Sequence, residues 1–454
     1  MKKEKKFFEI LENKNVDFKK EIIAGCTTFL TMAYIIAVNP NILSATGMDQ
    51  GALVTATCLS AAFATILMGV FANLPFALAS GMGLNAYFAF SVVIGKGISW
   101  EIALTAVFVE GIIFILMSLF KVRQAVVNAI PMNMKYAVTA GIGMFIAFIG
   151  LAGSDIVVAN KDTFLSLGDF NVPTVLVALI GVVVIAILDK KGVRGAILFG
   201  IVVSTVIAWG YALFDREYAA SLGIFLPDGI IKFESIAPIA GKLDFGYIMN
   251  PSNIGTFITI VCTFLFVDFF DTIGTLVGVS SRAGMLDEKG NIPNASKALM
   301  VDAIGTTTGA VMGVSTVTTF VESSTGVLAG GRTGWTSVTT GLLFLAAMFF
   351  SPIFIAIPAC ATAPALIYVG YLMLGACKNI DFEEITEGFP AFVTIAAMPL
   401  TYSIGDGLTL GVLAYVFVNV LYNIVFIKEK DKKKKVSIVM IVLALIFLVK
   451  LFVL

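Results

Sequence analysis

Long apolar runs separated by short charged clusters make up most of the chain after residue 20. A helix that crosses a bilayer needs about 20 mainly apolar residues, because each residue adds only about 1.5 Å to its length. The pattern predicts eleven membrane spans, at 21–44, 52–73, 99–120, 133–152, 173–189, 193–214, 253–280, 333–350, 358–377, 388–404 and 406–427. We therefore expect an all-α protein that crosses the membrane many times.

Three further segments are apolar but too short or too rich in small residues to be ordinary spans. They are 76–95 (FALASGMGLNAYFAFSVVIG), 295–313 (ASKALMVDAIGTTTGAVMG) and 314–331 (VSTVTTFVESSTGVLAGG). With these three, the prediction rises to about 14 segments. An apolar tail at 435–454 follows, and the pattern leaves open whether it spans the membrane or lies against the other helices.

Two of these interrupted segments occupy matching places, since each is the third segment of its half of the chain (roughly 18–214 and 250–427). Each begins with a short β-like stretch, Phe76–Ser80 or Val314–Thr318, and then opens a glycine-rich half-helix. Paired interrupted segments are typical of inverted-repeat transporters, in which the substrate binds where the half-helices meet. Non-helical backbone at membrane depth is tolerated only where it lines a protected cavity.

The composition agrees with a membrane protein. Of 454 residues, 58% are hydrophobic and 13% are charged, which is too little polar surface to cover a soluble fold of this size. Basic clusters alternate between the spans, and the positive-inside rule then places the N-terminus in the cytoplasm of a multi-pass protein in the cell membrane. The net charge is zero, without a basic patch that would bind nucleic acid.

The titratable residues restrict the chemistry further. Five cysteines without a CxxC pair predict neither a disulfide framework nor a zinc site, and there is no histidine. We therefore expect no metal and no cofactor, and any proton chemistry falls to carboxylates.

Asp268 and Asp271 lie in the apolar stretch FLFVDFFDTIGTL, three residues apart on one face of the predicted helix. An acid at membrane depth is costly and is therefore a candidate for function. Because two close carboxylates do not both ionise easily, one is expected to keep a proton, which suits a proton carried with the substrate. The alternative is a pair of acids that cap the end of a span.

Glu322 opens the second half-helix, where its carboxylate can accept N–H bonds from a planar heterocycle, with Phe320 as a stacking face. Ser323, next along the chain, is a further candidate for substrate binding. Asn85, on the matching half-helix, offers a donor and an acceptor. The alternatives are an N-terminal cap for the acid and helix–helix packing for the asparagine.

Asp302 precedes a run of glycine and threonine. We expect it to have a structural role, and we assign Thr272 to the same group of structural polar residues.

Four motifs occur in a familiar order: TTFLTMAYIIAVNP, GMGLNAYFAF, FVDFFDTIGTLVGV and TTFVESSTGVLAGGRTG. With them the chain resembles, over nearly its whole length, the purine permeases (adenine/guanine/hypoxanthine type) of the nucleobase–ascorbate transporter (xanthine/uracil permease) superfamily. The resemblance implies about 14 segments in two inverted repeats of seven, proton-coupled transport by an elevator movement of a core domain against a gate domain, and a homodimer.

The resemblance also divides the chain. Segments 1–4 and 8–11 would form the core that holds the substrate, and segments 5–7 and 12–14 the gate and dimer contact. The implied parts are a cytoplasmic N-terminus (1–20), two core parts (21–120 and 250–350), two gate parts (121–249 and 351–427), and a basic loop with the apolar tail (428–454).

Matched residue by residue, the resemblance assigns Glu322 as the base-binding acid of the tenth segment and Asp271 as the acid of the eighth. Asp268 is the extra acid of the purine branch, and Asn85 is its third-segment asparagine. The uracil branch has a histidine in the eighth segment, so its absence here favours the purine branch.

The hypothesis from the sequence is therefore a proton-coupled importer of hypoxanthine, guanine or adenine, with Asp268 or Asp271 exchanging the proton. A uracil, xanthine or ascorbate permease of the same fold is the near alternative. An anion carrier is disfavoured because the acids would repel its substrate. A channel is a different class, and an enzyme would need a nucleophile–base pair or a metal cluster.

Overall fold

The structure is a computed structural model that describes residues 16–119, 130–282, 285, 294–425 and 436–453. Within these residues, nine helical spans are long and apolar enough to cross a membrane. Five further segments, which are shorter or less apolar, complete the 14 that the sequence predicts. The chain is thus a multi-pass, all-α membrane protein. Residues 1–15 of the predicted N-terminal stretch 1–20 lie outside the described residues. The basic loop, from residue 428 to residue 435, also lies outside them.

The first half of the chain contains segments 1 to 7, and an exposed hairpin of strands β2 and β3 separates segments 5 and 6. The bounds are Phe18–Met32 with Ile35–Ser44 (segment 1), Gln50–Leu67 with Met68–Ala72 (2), β1 Leu78–Ser80 followed by Met82–Ala86 and Tyr87–Ile94 (3), Trp100–Leu119 (4), Met132–Gly153 (5), β2 Val157–Asn160, β3 Phe164–Leu167, Pro173–Lys190 (6) and Ala196–Phe214 (7).

The second half repeats this order after a long connection that holds two short helices, Arg216–Ser221 and Gly246–Met249. Its bounds are Pro251–Arg282 (segment 8), Ala295–Met312 (9), β4 Val317–Thr319 followed by Ser323–Leu328 (10), Gly334–Ala347 (11), a short helix Ser351–Ile355, Ala359–Leu374 with Gly375–Asn379 (12), Ile385–Leu400 (13), Ile404–Val425 (14), and a tail helix, Ile438–Val453.

Strands β1 and β4 pair with each other in an antiparallel ladder, with Ala79 opposite Thr318. The ladder is extended on both sides, because Gly81 N donates to Thr316 O at 2.9 Å and Phe320 N donates to Ala77 O at 3.0 Å. Backbone polar groups away from water need internal partners, and each short strand supplies them for the other. The two interrupted segments therefore meet at the centre of the fold.

Threonines from neighbouring helices complete this arrangement in a symmetric way. The Thr65 hydroxyl, on segment 2, bonds both the N–H and the carbonyl of Leu78 at 2.9 Å. The Thr306 hydroxyl, on segment 9, donates to the carbonyl of Val317 at 3.0 Å. Segments 2 and 9 are equivalent in the two halves, so a threonine hydroxyl in the same position bonds the backbone of each strand. This correspondence is typical of an inverted repeat.

The helices pack in two groups, each with members from both halves. In one group, segment 4 packs on 9, and segment 11 packs on 1 and 2. In the other, segment 5 packs on 12 and 13, and segments 6 and 7 pack on each other and on 12. Segment 8 packs on segment 4 of the first group and also contacts segment 5 of the second. The groups meet closely where Gly83 faces Ile142, since a Cβ at Gly83 would lie 2.6 Å from the Ile142 side chain.

Candidate functional site

Glu322 immediately precedes the half-helix Ser323–Leu328 of segment 10. Its side chain makes no capping hydrogen bond there. Instead, its Oε1 accepts a hydrogen bond of 2.6 Å from the hydroxyl of Tyr34. That length is typical of a hydroxyl that donates to a charged carboxylate.

Tyr34 is a site residue that the sequence interpretation missed. It is fully buried and lies in the turn between Phe18–Met32 and Ile35–Ser44, where segment 1 is interrupted. Neither glycine nor proline marks this turn, so the apolar run reads as one continuous span. The available signal was a polar hydroxyl within an apolar stretch of the motif TTFLTMAYIIAVNP.

Asp271 is partly exposed on segment 8 and faces the beginning of the other half-helix. A Cβ at Gly81 would lie 3.9 Å from Asp271 Oδ2. Asp271 is also close enough to Glu322 for the two carboxylates to repel each other when both are charged. The fold thus brings one acid from segment 8 and one from segment 10 to the ladder of β1 and β4.

Asp268 belongs to a different environment, although it lies only three residues from Asp271. It is fully buried, and its Oδ1 accepts a hydrogen bond of 3.2 Å from Thr272. The same hydroxyl lies 2.9 Å from Asp302 Oδ2 and 2.8 Å from the hydroxyl of Thr318. These groups join segments 8 and 9 to strand β4. Asp271 instead lies near Gly81 at the beginning of the other half-helix and within electrostatic range of Glu322 on segment 10.

Asn85 is fully buried on the half-helix of segment 3. The Ser80 hydroxyl donates to its Oδ1 at 2.7 Å, which orients the amide. Its Nδ2 has no hydrogen-bond partner among the described residues. Because buried amide groups are almost always hydrogen-bonded, this nitrogen is a candidate donor to a ligand.

Phe320 and Ser323 lie on either side of Glu322. The ring of Phe320 is buried and its backbone is part of the β1–β4 ladder. The hydroxyl of Ser323 accepts a hydrogen bond of 2.9 Å from the N–H of Ala77. Ser323 therefore attaches the half-helix of segment 10 to the chain that leads into β1.

The acids and the amide all lie beside the β1–β4 ladder, with acceptors on segments 8 and 10 and a donor on segment 3. Among the described residues there is no group of three or more Cys, Asp or Glu residues that could hold a metal ion. A separate cavity of about 460 Å³ lies beside the connection after segment 7, where Lys232 and Glu234 form an ion pair of 2.6 Å. None of the predicted site residues lines it.

Two interrupted segments joined at the centre of an inverted repeat, with intramembrane acids beside them, define a membrane transport protein. The profile of the Permease family matches residues 19–410, and the chain belongs to this family. The resemblance to the purine permeases of the xanthine/uracil permease superfamily is confirmed. Since this is a family of permeases, the protein is a transporter and not an enzyme, as the sequence predicts.

Three similarities illustrate the relationship. The chain is 40% identical over 434 residues to the adenine permease AdeP of Escherichia coli, covering 95% of this chain and 92% of that protein. It is 41% identical over 455 residues to the guanine/hypoxanthine permease PbuG of Bacillus subtilis, covering 98% of each. The transmembrane domain of the cyanobacterial bicarbonate transporter BicA matches with a TM-score of 0.65 at 16% identity, over 87% of this chain and 97% of that one, which shows a shared fold.

Proposed function

We propose that this protein imports purine nucleobases together with protons. The observation that carries the proposal is the meeting of Asp271 and Glu322 beside the β1–β4 ladder, with the unpartnered Nδ2 of Asn85 on the adjoining half-helix. A purine offers ring N–H donors and ring nitrogen acceptors in one plane, which suits two acceptors and a donor. Adenine and guanine/hypoxanthine permeases among the relatives support the same substrate class.

In this proposal Glu322 and Asp271 accept hydrogen bonds from the base, and Asn85 donates one to a ring nitrogen. Phe320 packs against the ring, and Ser323 holds the half-helix in place. A transporter for an anion such as bicarbonate is disfavoured, although the fold is shared, because two carboxylates would repel it.

Proton coupling follows from the electrostatics of the acids. When one of two neighbouring carboxylates takes up a proton, the repulsion between them disappears. A bound base changes the free energy needed to keep both carboxylates charged, so binding of the base and binding of the proton are coupled. We assign the exchanged proton to an acid of segment 8. Asp271 is favoured over Asp268 because it faces Glu322 and is partly exposed.

We further propose that the two packed groups of helices are the core (21–120 and 250–350) and the gate (121–249 and 351–427), and that one moves against the other. Support comes from their composition, because each group combines segments from both halves. Only 33% of the residues in each of segments 6 and 7 are buried inside the protein, which suits contact with lipid or with a second copy in a homodimer. The proposed setting is the cell membrane, with the N-terminus in the cytoplasm.

Uptake by proteoliposomes that contain the purified protein tests the function. Labelled hypoxanthine, guanine and adenine should each be offered with and without an inward proton gradient. We expect saturable uptake of at least one base, accelerated by the gradient and absent from Glu322→Ala vesicles. Uptake of none of the three would overturn the proposal.

Competition against the preferred labelled base tests the near alternatives. Unlabelled uracil, xanthine and ascorbate should compete poorly for a site that prefers hypoxanthine, guanine or adenine. Strong competition by uracil or ascorbate would instead favour a permease for that compound, and uptake that never saturates would favour a channel.

A further inference from the structure

We propose that Tyr34 is a positioning residue for base recognition, which holds one oxygen of Glu322 so that the other faces the substrate. This inference rests on the proposed function and adds a residue from segment 1 to the site. It starts from the 2.6 Å hydrogen bond between the Tyr34 hydroxyl and Glu322 Oε1.

The tyrosine is held rigidly enough to act in this way. Its side chain is fully buried, and it lies at the interruption of segment 1, beside the half-helix of segment 10. One turn earlier, the hydroxyl of Thr31 lies 2.9 Å from the hydroxyl of Thr325 on that half-helix. Two side-chain contacts therefore join segment 1 to the half-helix, one just before the turn and one within it.

The glutamate depends on this partner for its orientation. It precedes its half-helix without capping it, so the N–H groups of the helix do not hold its carboxylate, and the backbone donor beside the carboxylate is its own N–H. A glutamate side chain has three rotatable torsions, and fixing it only when the substrate arrives would weaken binding. The hydroxyl of Tyr34 engages Oε1 beforehand and leaves Oε2 as an acceptor for a ring N–H.

The hydrogen bond should also affect which base binds best. While Tyr34 occupies Oε1, a base needs only one N–H on the edge that meets Glu322. Hypoxanthine offers one such donor, its N1–H, whereas guanine offers N1–H and an adjacent amino group. Without the phenol, guanine can satisfy both oxygens and hypoxanthine cannot, so the loss should be larger for hypoxanthine.

The test compares Tyr34→Phe with Tyr368→Phe. The Tyr368 hydroxyl donates to Asp189 Oδ2 at 2.7 Å, joining segments 12 and 6 away from the acids, so the control removes the same kind of bond elsewhere. We expect Tyr34→Phe to raise the KM for hypoxanthine about tenfold and that for guanine by roughly threefold, with Vmax nearly unchanged. The KM of Tyr368→Phe should stay at the wild-type value for both bases.

A second variant carries 4-aminophenylalanine at position 34, which restores an N–H donor on a ring of the same size. This variant should recover most of the affinity that Tyr34→Phe loses. If Tyr34→Phe does not reach the membrane, the 4-aminophenylalanine variant still tests the inference, because its own KM should stay near the wild-type value. If Tyr34→Phe leaves the KM unchanged for both bases, or raises it equally for both, the positioning role is overturned. The transport function still stands in that case, provided that the wild-type protein takes up a purine. Failure of the wild-type protein to take up any purine would overturn both.

Discussion

Thr272 donates a hydrogen bond to Asp302 at a distance of 2.9 Å and so joins segment 8 to segment 9 inside the membrane. The same hydroxyl contacts Asp268 and the Thr318 hydroxyl of strand β4. One hydroxyl hydrogen serves one acceptor at a time, so the group works as a shared network rather than as separate bonds. Because Thr318 belongs to strand β4, the network attaches segments 8 and 9 to the ladder beside the site.

Thr272→Val should therefore destabilise the protein, because the substitution keeps the side-chain volume but removes the hydroxyl from between two buried carboxylates. We expect a loss of about 1–3 kcal/mol in the free energy of unfolding. Thermal unfolding in detergent measures it. Thr339→Val is the matched control, because the Thr339 hydroxyl donates to Trp335 O within its own helix and should matter little. Equal melting temperatures for the two variants would contradict the network.

Two glutamates, a buried one at position 21 and a partly exposed one at position 322, should separate binding from stability. Glu322→Gln should weaken base binding by at least tenfold with little effect on unfolding, since its carboxylate faces the proposed substrate and caps no helix. Glu21→Gln should do the reverse, because its carboxylate accepts hydrogen bonds from the N–H groups of Arg332, Thr333 and Thr336 at the beginning of segment 11.

Binding of a labelled base and thermal unfolding should be measured on both glutamate variants. We expect the Glu21 variant to lose about 1–2 kcal/mol of stability and to keep its affinity. Wild-type affinity in the Glu322 variant would refute its place in the site.

We expect the Nδ2 of Asn85 to donate a hydrogen bond to the base. The Ser80 hydroxyl, which donates to Oδ1, should hold the amide in the orientation that presents Nδ2. Asn85→Asp replaces that donor with an acceptor and should reduce affinity by about tenfold or more. Ser80→Ala releases Oδ1, lets the amide turn over, and should give a smaller loss. Competition binding with the purified variants measures both. A Ser80 variant that binds worse than the Asn85 variant would contradict this order.

Proton coupling should depend on Asp271 more than on Asp268. Asp271→Asn removes the charge that faces Glu322, so an inward proton gradient should no longer accelerate uptake, although exchange of labelled for unlabelled base continues. Asp268→Asn should chiefly reduce stability, because Asp268 belongs to the Thr272 network. Counterflow and gradient-driven uptake by the same vesicles distinguish the two roles. Gradient-driven uptake that survives in Asp271→Asn would place the proton elsewhere.

Several features of the site follow from local sequence, and others do not. Glu322 and Asn85 could be found because polar side chains are costly in glycine-rich segments at membrane depth. Tyr34 was missed, because nothing in its apolar run marks the turn that interrupts segment 1, and its hydroxyl alone does not point to a partner in segment 10. The pairing of Ala79 with Thr318 was also invisible, since each β-like stretch is only a few residues long and its partner lies in the other half of the chain.

The sequence by itself determined the number and order of the membrane segments, because a bilayer requires apolar runs of nearly constant length. Only the tertiary structure decided which acids meet. Residues three apart on a helix differ by about 60° in direction, since each residue turns it by about 100°. That difference is enough to turn Asp268 toward Thr272 and Asp302, and Asp271 toward Glu322. Which neighbour each side chain reaches depends on helix packing, which no local pattern records.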